Sequence, residues 1–239
     1  MPAPRSAFYR GCRNALPFLI VVVPFAILFG ALATDAGLSL FEVITFSAVV
    51  FAGAAQFAAL QLMQDHAPLL VILATSLAVN LRMVMYSIAL SPHLGAAPLG
   101  IRATIAYFLV DQSYVTSAAE YDRNPNLTLP EKIAYFFGTI APIAPLWYLS
   151  TYLGARIGRS IPPEYALDFA VPITFLAIIA PMIRTWPHIA ATAVSILGAL
   201  SLTKLPYGTG LLVAAVLAMA TGATLEFLQD RKAAPNANR

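Results

Sequence analysis

Hydrophobic positions in this sequence cluster into long apolar runs, and short polar connectors separate the runs. Each run reaches seventeen residues or more, and a helix that crosses a bilayer needs about twenty mainly apolar residues. The pattern predicts an all-α, polytopic transmembrane helix bundle with eight spans, placed at Leu16–Ala33, Phe41–Met63, Pro68–Leu90, Pro98–Ala119, Ile133–Ala155, Tyr165–Ile183, Pro187–Thr203 and Tyr207–Leu228.

The boundary between the last two predicted spans is the least defined, because only Lys204-Leu205-Pro206 separates them. A single long span there would give seven crossings and move the C-terminus to the other side of the membrane. With eight spans we expect one membrane domain over residues 16–228. A cytoplasmic segment at residues 1–15 precedes it, and a polar cytoplasmic tail at residues 229–239 follows it.

Basic residues set the expected orientation, because arginine and lysine are enriched in the short cytoplasmic connectors of membrane proteins. With eight spans and a cytoplasmic N-terminus, nine basic residues fall inside: Arg5, Arg10, Arg13, Arg123, Lys132, Arg184, Arg231, Lys232 and Arg239. Four fall outside: Arg102, Arg156, Arg159 and Lys204. Seven spans would remove the C-terminal residues from the inside, so the charges favour eight.

The N-terminus also has the order of a secretory signal, with basic residues before an apolar run that ends in Ala31-Leu32-Ala33. The run Leu16–Ala33 is longer than the about 7 to 15 residues of a signal core. We therefore interpret it as an uncleaved first span. The single cysteine, Cys12, cannot form an internal disulfide.

Composition agrees with a membrane protein. The chain is 59% hydrophobic and 10% charged, with a mean hydropathy of +0.77, whereas soluble domains carry about 25% charged residues. The net charge is +3, but the basic residues are scattered at span ends. This distribution does not favour a nucleic-acid partner, and the surrounding medium is predicted to be a lipid bilayer.

The third span, Pro68–Leu90, carries an arginine, Arg82, which costs roughly 2.5–3.5 kcal/mol near the centre of a membrane helix. At 100° per residue, Thr75, Arg82 and Tyr86 lie within about 40° of one another. Asn80 lies on a second polar stripe. This pattern favours a helix buried among others, with Arg82 in a functional site or an ion pair. Snorkelling of Arg82 to the headgroups, about 12 Å away, is the alternative.

The fourth predicted span offers an acidic partner for Arg82. On a continuous helix, polar residues of this span share one stripe: Thr104, Tyr107, Asp111 and Tyr114. A carboxylate at this depth is paired or protonated, because a bare charge in hydrocarbon is unfavourable. Asp111 is therefore predicted to couple transport to protons, to hold two helices together by a static ion pair with Arg82, or to do both.

Small residues mark two further spans. In the second span, Ala52–Ala59 surrounds Gly53 and Gln56, and small side chains allow neighbouring helices to approach closely. Gln56 is a candidate for hydrogen bonding to a substrate or to another helix. In the last span, small residues recur every four positions and form a ridge that fits packing within the chain or against another subunit: Gly210, Ala214, Ala218 and Gly222.

Two weaker patterns concern helix breaks and internal duplication. Prolines inside spans are either tolerated or bend helices that line a cavity; they are Pro17, Pro24, Pro142, Pro145, Pro172 and Pro181. Phe29-Gly30-Ala31 recurs as Leu153-Gly154-Ala155 at an offset of 124 residues. Transporters often contain paired halves, although short similarities between apolar helices also arise by chance.

Motifs for other chemistry are absent from the sequence. There is no phosphate-binding loop with a lysine and serine, and Gly208-Thr209-Gly210 lacks the context of a dinucleotide site. The histidines lie at span ends without metal-ligand spacing; they are His66, His93 and His188. No Gly-x-Ser-x-Gly elbow is present. We therefore expect no enzyme activity, no cofactor and no bound metal.

Three motifs together resemble the AzlC family of bacterial branched-chain amino acid exporters. They are Phe51-Ala-Gly-Ala-Ala-Gln-Phe57, Asn80-Leu-Arg82 with Tyr86, and residues 107–118 around Asp111. The similarity extends over roughly residues 10–228 and includes Gly138-Thr139. The family usually has Asp-Glu where this chain has Asp111-Gln112, so one intramembrane acid is missing.

The resemblance implies export of neutral, mainly branched-chain, amino acids across the bacterial inner membrane, together with a small membrane subunit of the AzlD type. A zwitterion needs an acceptor for its ammonium group and a donor for its carboxylate. Asp111 and Arg82 can supply these groups. The remaining predicted substrate-binding residues are Asn80, Gln56, Tyr86 and Tyr114. We predict a proton-coupled secondary exporter; a non-transporting scaffold or receptor-like subunit and a passive pore are the alternatives.

Overall fold

The computed structural model describes residues 4–158, 183, 185–203, 205 and 209–233. All regular structure within these ranges is helical, as predicted. The helices are α1 (Pro4–Ala15), a 3-10 turn (Leu16–Phe18), α2 (Leu19–Asp35), α3 (Leu40–Val49), α4 (Gly53–Gln64), α5 (Leu69–Leu94), α6 (Leu99–Tyr107), α7 (Asp111–Arg123), α8 (Leu129–Gly158), α9 (Trp186–Ser201) and α10 (Thr209–Ala233).

The prediction of eight spans is confirmed only in part. The second span is divided into α3 and α4, and the fourth is divided into α6 and α7, so neither forms the continuous helix that was predicted. In the described part of the chain, four helical stretches are long and apolar enough to cross a membrane: Pro4–Asp35, Leu69–Leu94, Leu129–Gly158 and Thr209–Gln229. Residues 165–182 of the predicted sixth span lie outside the described residues.

The first interruption, at residues 50–52, separates α3 from α4. The backbone carbonyl of Ala48, near the end of α3, accepts a hydrogen bond from the hydroxyl of Tyr107 on α6. α4 then begins at Gly53, where a Cβ atom would lie within 2.9 Å of two aromatic rings, those of Phe25 and Trp147. Contacts with other helices therefore stabilise this break.

The second interruption, at residues 108–110, separates α6 from α7. The hydroxyl of Ser113 accepts a hydrogen bond from the backbone N–H of Val110 at 3.0 Å and lies 3.1 Å from the carbonyl oxygen of Phe108. Asp111 is the first residue of α7, where a negative side chain interacts favourably with the helix dipole. The break thus places Asp111 at a helix N-terminus and not in the middle of a helix.

The two interruptions meet in space. The ring of Phe51, in the first break, lies 5.6 Å from the ring of Phe108, in the second, and 6.0 Å from the ring of Tyr107. Pairs of interrupted helices that meet in this way form binding sites in many transporters, because their free backbone groups and helix ends face a cavity.

Proline does not produce either break. Pro24 lies within the uninterrupted helix α2, and Pro142 and Pro145 lie within α8. Of the two interpretations offered for these prolines, the structure shows tolerance inside a continuous helix. Pro17 belongs to the 3-10 turn, and Pro172 and Pro181 lie outside the described residues.

The chain divides into two compact units, Met1–Leu60 with Val79–Asp168 and Gln61–Ala78 with Phe169–Arg239. In the first unit, α2 packs closely against α8. A Cβ atom on Gly30 would collide with the carbonyl oxygen of Thr151, and a Cβ atom on Gly154 would collide with that of Ile27. The repeated Gly30 and Gly154 therefore face each other, which gives the similarity of their triplets a packing reason; the internal duplication stays a prediction.

The N-terminal helix α1 continues the same interface. A Cβ atom on Gly11 would collide with the carbonyl oxygen of Tyr135, and one on Gly138 with that of Phe8. Residue numbers rise together along both helices, so α1–α2 and α8 run parallel. An odd number of crossings must therefore lie between them, which is consistent with the three predicted spans and equally with a single crossing by α5.

The second unit contains an antiparallel pair, α9 and α10. A Cβ atom on Gly198 would lie 3.0 Å from the Cβ of Ala214, and one on Gly222 would lie 3.3 Å from the Cβ of Ala191. Gly210 lies against the carbonyl of Leu202. The small-residue ridge of α10 therefore packs against α9 of the same chain.

Candidate functional site

The predicted pair of Arg82 and Asp111 is present in the structure. On α5, Nη1 of Arg82 lies 3.1 Å from Oδ2 of Asp111, at the start of α7. The hydroxyl of Tyr86, one turn after Arg82, donates a hydrogen bond of 2.8 Å to Oδ1 of the same carboxylate. Both carboxylate oxygens are thus bound from α5, and Arg82 points toward Asp111 and not along the helix to the headgroups.

Aromatic stacking extends this contact. The rings of Tyr86 on α5 and Tyr114 on α7 are parallel within 9°, with centroids 4.1 Å apart. Four of the six predicted substrate-binding residues therefore form one cluster between α5 and α7, which we call the α5–α7 cluster: Arg82, Tyr86, Asp111 and Tyr114. Helical spacing correctly places Arg82 and Tyr86 on one face of α5, because α5 is continuous.

The α5–α7 cluster is only partly buried. The side chains of Arg82 and Asp111 remain 37% and 39% exposed, so the ion pair borders a space. Exposure of such a pair to lipid tails is unfavourable, and water, a ligand or another polypeptide must therefore fill that space. Nε of Arg82 is buried and has no hydrogen-bond partner among the described residues, so the guanidinium keeps a donor for an additional group.

The stripe predicted for the fourth span is wrong, because it assumed a continuous helix. The break at residues 108–110 changes the direction of the side chains that precede it. Tyr107 binds the carbonyl of Ala48, and its hydroxyl oxygen lies 2.9 Å from that of Tyr148. Thr104 donates to the carbonyl of Gly100 within α6. Neither residue has a contact with Asp111 among the interactions of the described residues.

Gln56 belongs to a different site. Its side chain is fully buried, and Nε2 donates a hydrogen bond of 3.3 Å to Oγ of Ser47 on α3. The structure therefore shows the interhelical hydrogen bond that was the alternative to substrate binding. Oε1 of Gln56 and Oδ1 of Asn80 are buried and have no partner among the described residues, and no described contact joins Asn80 to Asp111.

Ser47 is the centre of a buried network that sequence analysis missed. Its Oγ accepts hydrogen bonds from Gln56 and from Nε1 of Trp147 at 2.9 Å. Because both acceptor positions are then occupied, its single proton is directed to Oγ1 of Thr151, 3.4 Å away. A signal was available, since a tryptophan inside an apolar helix needs a partner for its N–H.

We expect Trp147→Phe to destabilise the folded protein, because it leaves Ser47 with an unfilled acceptor and opens a gap. A loss of about 1–3 kcal/mol is typical for a buried polar group without its partner, and thermal unfolding of the detergent-solubilised chain measures it. Trp186→Phe is the matched control, because Trp186 is 76% exposed. Equal melting temperatures for the two variants would contradict a stabilising role of the Ser47 network.

Metal binding has no support in the described residues, where no group of three or more histidine, cysteine, aspartate and glutamate side chains comes together. His93 lies 3.3 Å from Nζ of Lys132 and 5.1 Å, ring to ring, from Tyr121. Its neighbours are thus a cation and a phenol, which do not form a ligand set for a metal ion.

Comparison with known proteins adds to this geometry. The family profile described as AzlC protein matches residues 17–161. The inner membrane protein YgaZ of Escherichia coli K12 is 30% identical over 207 residues, which cover 84% of this chain and 83% of that protein. A membrane protein of Archaeoglobus fulgidus is 27% identical over 187 residues, which cover 75% of this chain and 78% of that protein. No solved structure shows significant similarity.

Proposed function

This chain belongs to the AzlC family, and on that premise we propose that it is a secondary exporter of branched-chain or related neutral amino acids. Family membership implies branched-chain amino acid transport and a transporter rather than an enzyme. The chain is a homologue of an inner membrane protein and has several helices able to cross a membrane. Our proposal adds the direction of transport, its coupling, the cytoplasmic N-terminus and the residues that act.

The observation that supports this function is the partly exposed ion pair of Arg82 and Asp111. A zwitterionic amino acid can replace each partner of this pair, since its carboxylate suits the guanidinium and its ammonium group suits the carboxylate. The buried Nε of Arg82, which has no partner among the described residues, provides a second donor for the substrate carboxylate. Tyr86 and Tyr114 form an aromatic wall for the aliphatic side chain.

The ion pair of Arg82 and Asp111 also explains how the carrier can change its orientation in the membrane without bound substrate. Without substrate, Arg82 and Asp111 neutralise each other; with substrate, the two charges of the zwitterion neutralise them. Both states therefore avoid an unpaired charge within the membrane, which would be costly. In our proposal, net export adds a third state: an external proton binds Asp111, releases the ammonium group outside and leaves to the cytoplasm after the carrier returns, while water in the partly exposed site solvates Arg82.

A small subunit of the AzlD type completes the proposed transporter. The most apolar stretch of α5 contains no buried residue among those that the structure describes, although α5 carries Arg82 and Asn80. Apolar side chains along α5 are exposed as well: Leu73, Leu77, Leu81, Val84 and Ile88. A second membrane polypeptide on this surface would shield polar groups from lipid.

Counterflow in proteoliposomes tests the proposed function. The vesicles contain the full-length chain, with or without an AzlD-type subunit, and are loaded with unlabelled L-leucine. We expect saturable accumulation of labelled L-leucine and L-valine, and none of L-glutamate or L-lysine, because an added charge would disturb the balance in the site. An imposed pH gradient should drive net movement of L-leucine against the proton flux.

Three results would contradict the proposal. No flux of any neutral amino acid, with or without the subunit, would favour a scaffold or receptor-like protein. Flux that does not saturate and ignores the pH gradient would favour a passive pore. Saturable flux of charged amino acids alone would show that the substrate class is wrong.

A further inference from the structure

A polar cavity lies on the other side of α7, away from the α5–α7 cluster. Its volume is about 340 Å³, and its walls come from the end of α1, the 3-10 turn, α7 and the start of α8. Glu120, in this cavity, follows Asp111 by nine residues on α7. This spacing corresponds to about 13 Å along the helix and half a turn around it, so the cavity is separate from the ion pair of Arg82.

The cavity contains one carboxylate in a fixed position. Nε and Nη2 of Arg10 both donate to Oε1 of Glu120, at 3.2 and 3.0 Å, and the Glu120 side chain is only 9% exposed. The second oxygen, Oε2, accepts no hydrogen bond in the part of the chain that the structure describes. One oxygen thus anchors the side chain and the other remains for a ligand.

Two cations accompany this carboxylate. Arg13 and Arg123 line the cavity, and neither forms a salt bridge within the described ranges. The hydroxyl oxygen of Tyr135 accepts a hydrogen bond of 2.8 Å from Nδ2 of Asn14, so the Tyr135 proton is free to bind a ligand. The cavity therefore offers donors for a negative group and an acceptor for a positive one.

The remaining wall is apolar. Phe18, Val115 and Ala119 line the cavity beside the charged groups. Arg10 already neutralises Glu120, so Arg13 and Arg123 give the cavity a net positive charge that attracts a carboxylate and repels a free cation, while Oε2 of Glu120 stays available as an acceptor. A zwitterion with an aliphatic side chain satisfies both sets of charges and the apolar wall. The volume falls in the range of about 300–1,000 Å³ that small-molecule sites occupy.

We propose that this cavity is a second amino-acid site, at which a neutral amino acid binds before it reaches Arg82 and Asp111. Arg13 and Arg123 bind its carboxylate, and Oε2 of Glu120 binds its ammonium group. The assignment rests on the proposed export function. The ion pair of Arg10 and Glu120 lies on the side of the protein where α1 and the connector at residues 124–128 meet. That is the predicted cytoplasmic side, from which an exported substrate arrives.

The test compares the double variant Arg13→Gln/Arg123→Gln with the wild type and with Arg156→Gln. Arg156 is an exposed arginine near the far end of α8, and serves as the matched control. Binding of labelled L-leucine to the purified full-length chain is measured by equilibrium dialysis. Transport is measured in inside-out vesicles, where the cytoplasmic side faces the added substrate.

We expect the double variant to raise the KM for L-leucine by at least about tenfold, which the loss of one of the two charge-assisted contacts would already produce, with the rate at saturation unchanged. The wild type should bind two L-leucine molecules per chain, and the double variant should bind one at the same protein concentration. Ala119→Phe, which fills the cavity without removing a charge, should give the same pattern. The Arg156→Gln control should behave as the wild type.

Unchanged KM and unchanged binding in both cavity variants would overturn this assignment, even if the wild type transports L-leucine. If the wild type transports no amino acid, the proposed function fails, and loss of L-leucine binding in the cavity variants would still support the site. A third outcome is that the wild type retains phosphatidylethanolamine and the double variant does not, while both still bind L-leucine equally. That result would overturn the amino-acid site in favour of a site for a lipid headgroup.

Discussion

Asp111→Asn is expected to abolish coupled transport while the protein still inserts and folds. Asparagine keeps an oxygen that can accept the hydrogen bond from Tyr86 but removes the charge that binds Arg82. It also removes the group that our proposal protonates. We expect L-leucine flux to fall by at least about tenfold, which a loss of only 1.4 kcal/mol would produce. Initial rates in proteoliposomes, normalised to the amount of inserted protein, measure the effect.

The matched control is Asp122→Asn, on the same helix. Asp122 is exposed and forms no salt bridge within the described residues. Its substitution should leave flux within the error of the wild type. Full activity of Asp111→Asn would contradict both roles given to Asp111. Residual L-leucine exchange that no longer responds to a pH gradient would instead separate the two roles, because substrate binding would survive and proton coupling would not.

A charge exchange distinguishes a static ion pair from a transport site. In the variant R82D/D111R the two charges are retained but their positions are reversed. If the pair only holds α5 and α7 together, the exchange should restore both abundance and flux relative to either single change. If the pair binds substrate and protons, abundance should recover while flux stays low, because the substrate carboxylate and ammonium group then meet the wrong partners.

The pairing of Arg82 with Asp111 could be predicted from sequence because it depends on chemistry and on an uninterrupted helix. A guanidinium and a carboxylate in neighbouring membrane segments strongly favour contact. Tyr86, four residues after Arg82, adds its hydroxyl on the same face of α5. These predictions needed only the helical period of α5, which the structure leaves intact.

The breaks in the second and fourth spans could not be predicted in the same way. No proline marks them, and their stabilising contacts come from distant residues: the Tyr107 hydroxyl on the Ala48 carbonyl, and the packing of Phe51 on Phe108. Once a helix is interrupted, the rotation of 100° per residue no longer predicts which side chains on the two sides of the break face the same way. Gln56 on α4 binds Ser47 on α3, across the first break, so helical periodicity in the sequence does not identify Ser47 as its partner.

The close contact of α2 with α8 leads to the second large expected effect. We predict that Gly30→Ala and Gly154→Ala each strongly destabilise the protein. A Cβ atom at either position would collide with a backbone carbonyl oxygen, of Thr151 or of Ile27. Backbone cannot rotate away as a flexible side chain can, so we expect a loss at or above the about 1–3 kcal/mol typical of overpacking. Thermal unfolding in detergent, followed by size-exclusion chromatography, measures it.

Gly100→Ala is the control that separates the collision from the general effect of replacing a glycine. Gly100 lies in α6, and no atom lies within 4 Å of the position that its Cβ atom would take. Since glycine in a helix costs roughly 0.5–1 kcal/mol relative to alanine, this variant should be as stable as the wild type or more so. Equal stability of all three variants would show that α2 and α8 do not approach as closely as described. If Gly30→Ala and Gly154→Ala are each destabilising but the double variant loses less than their sum, one separation of the helices relieves both collisions, as expected for two facing positions in a single interface.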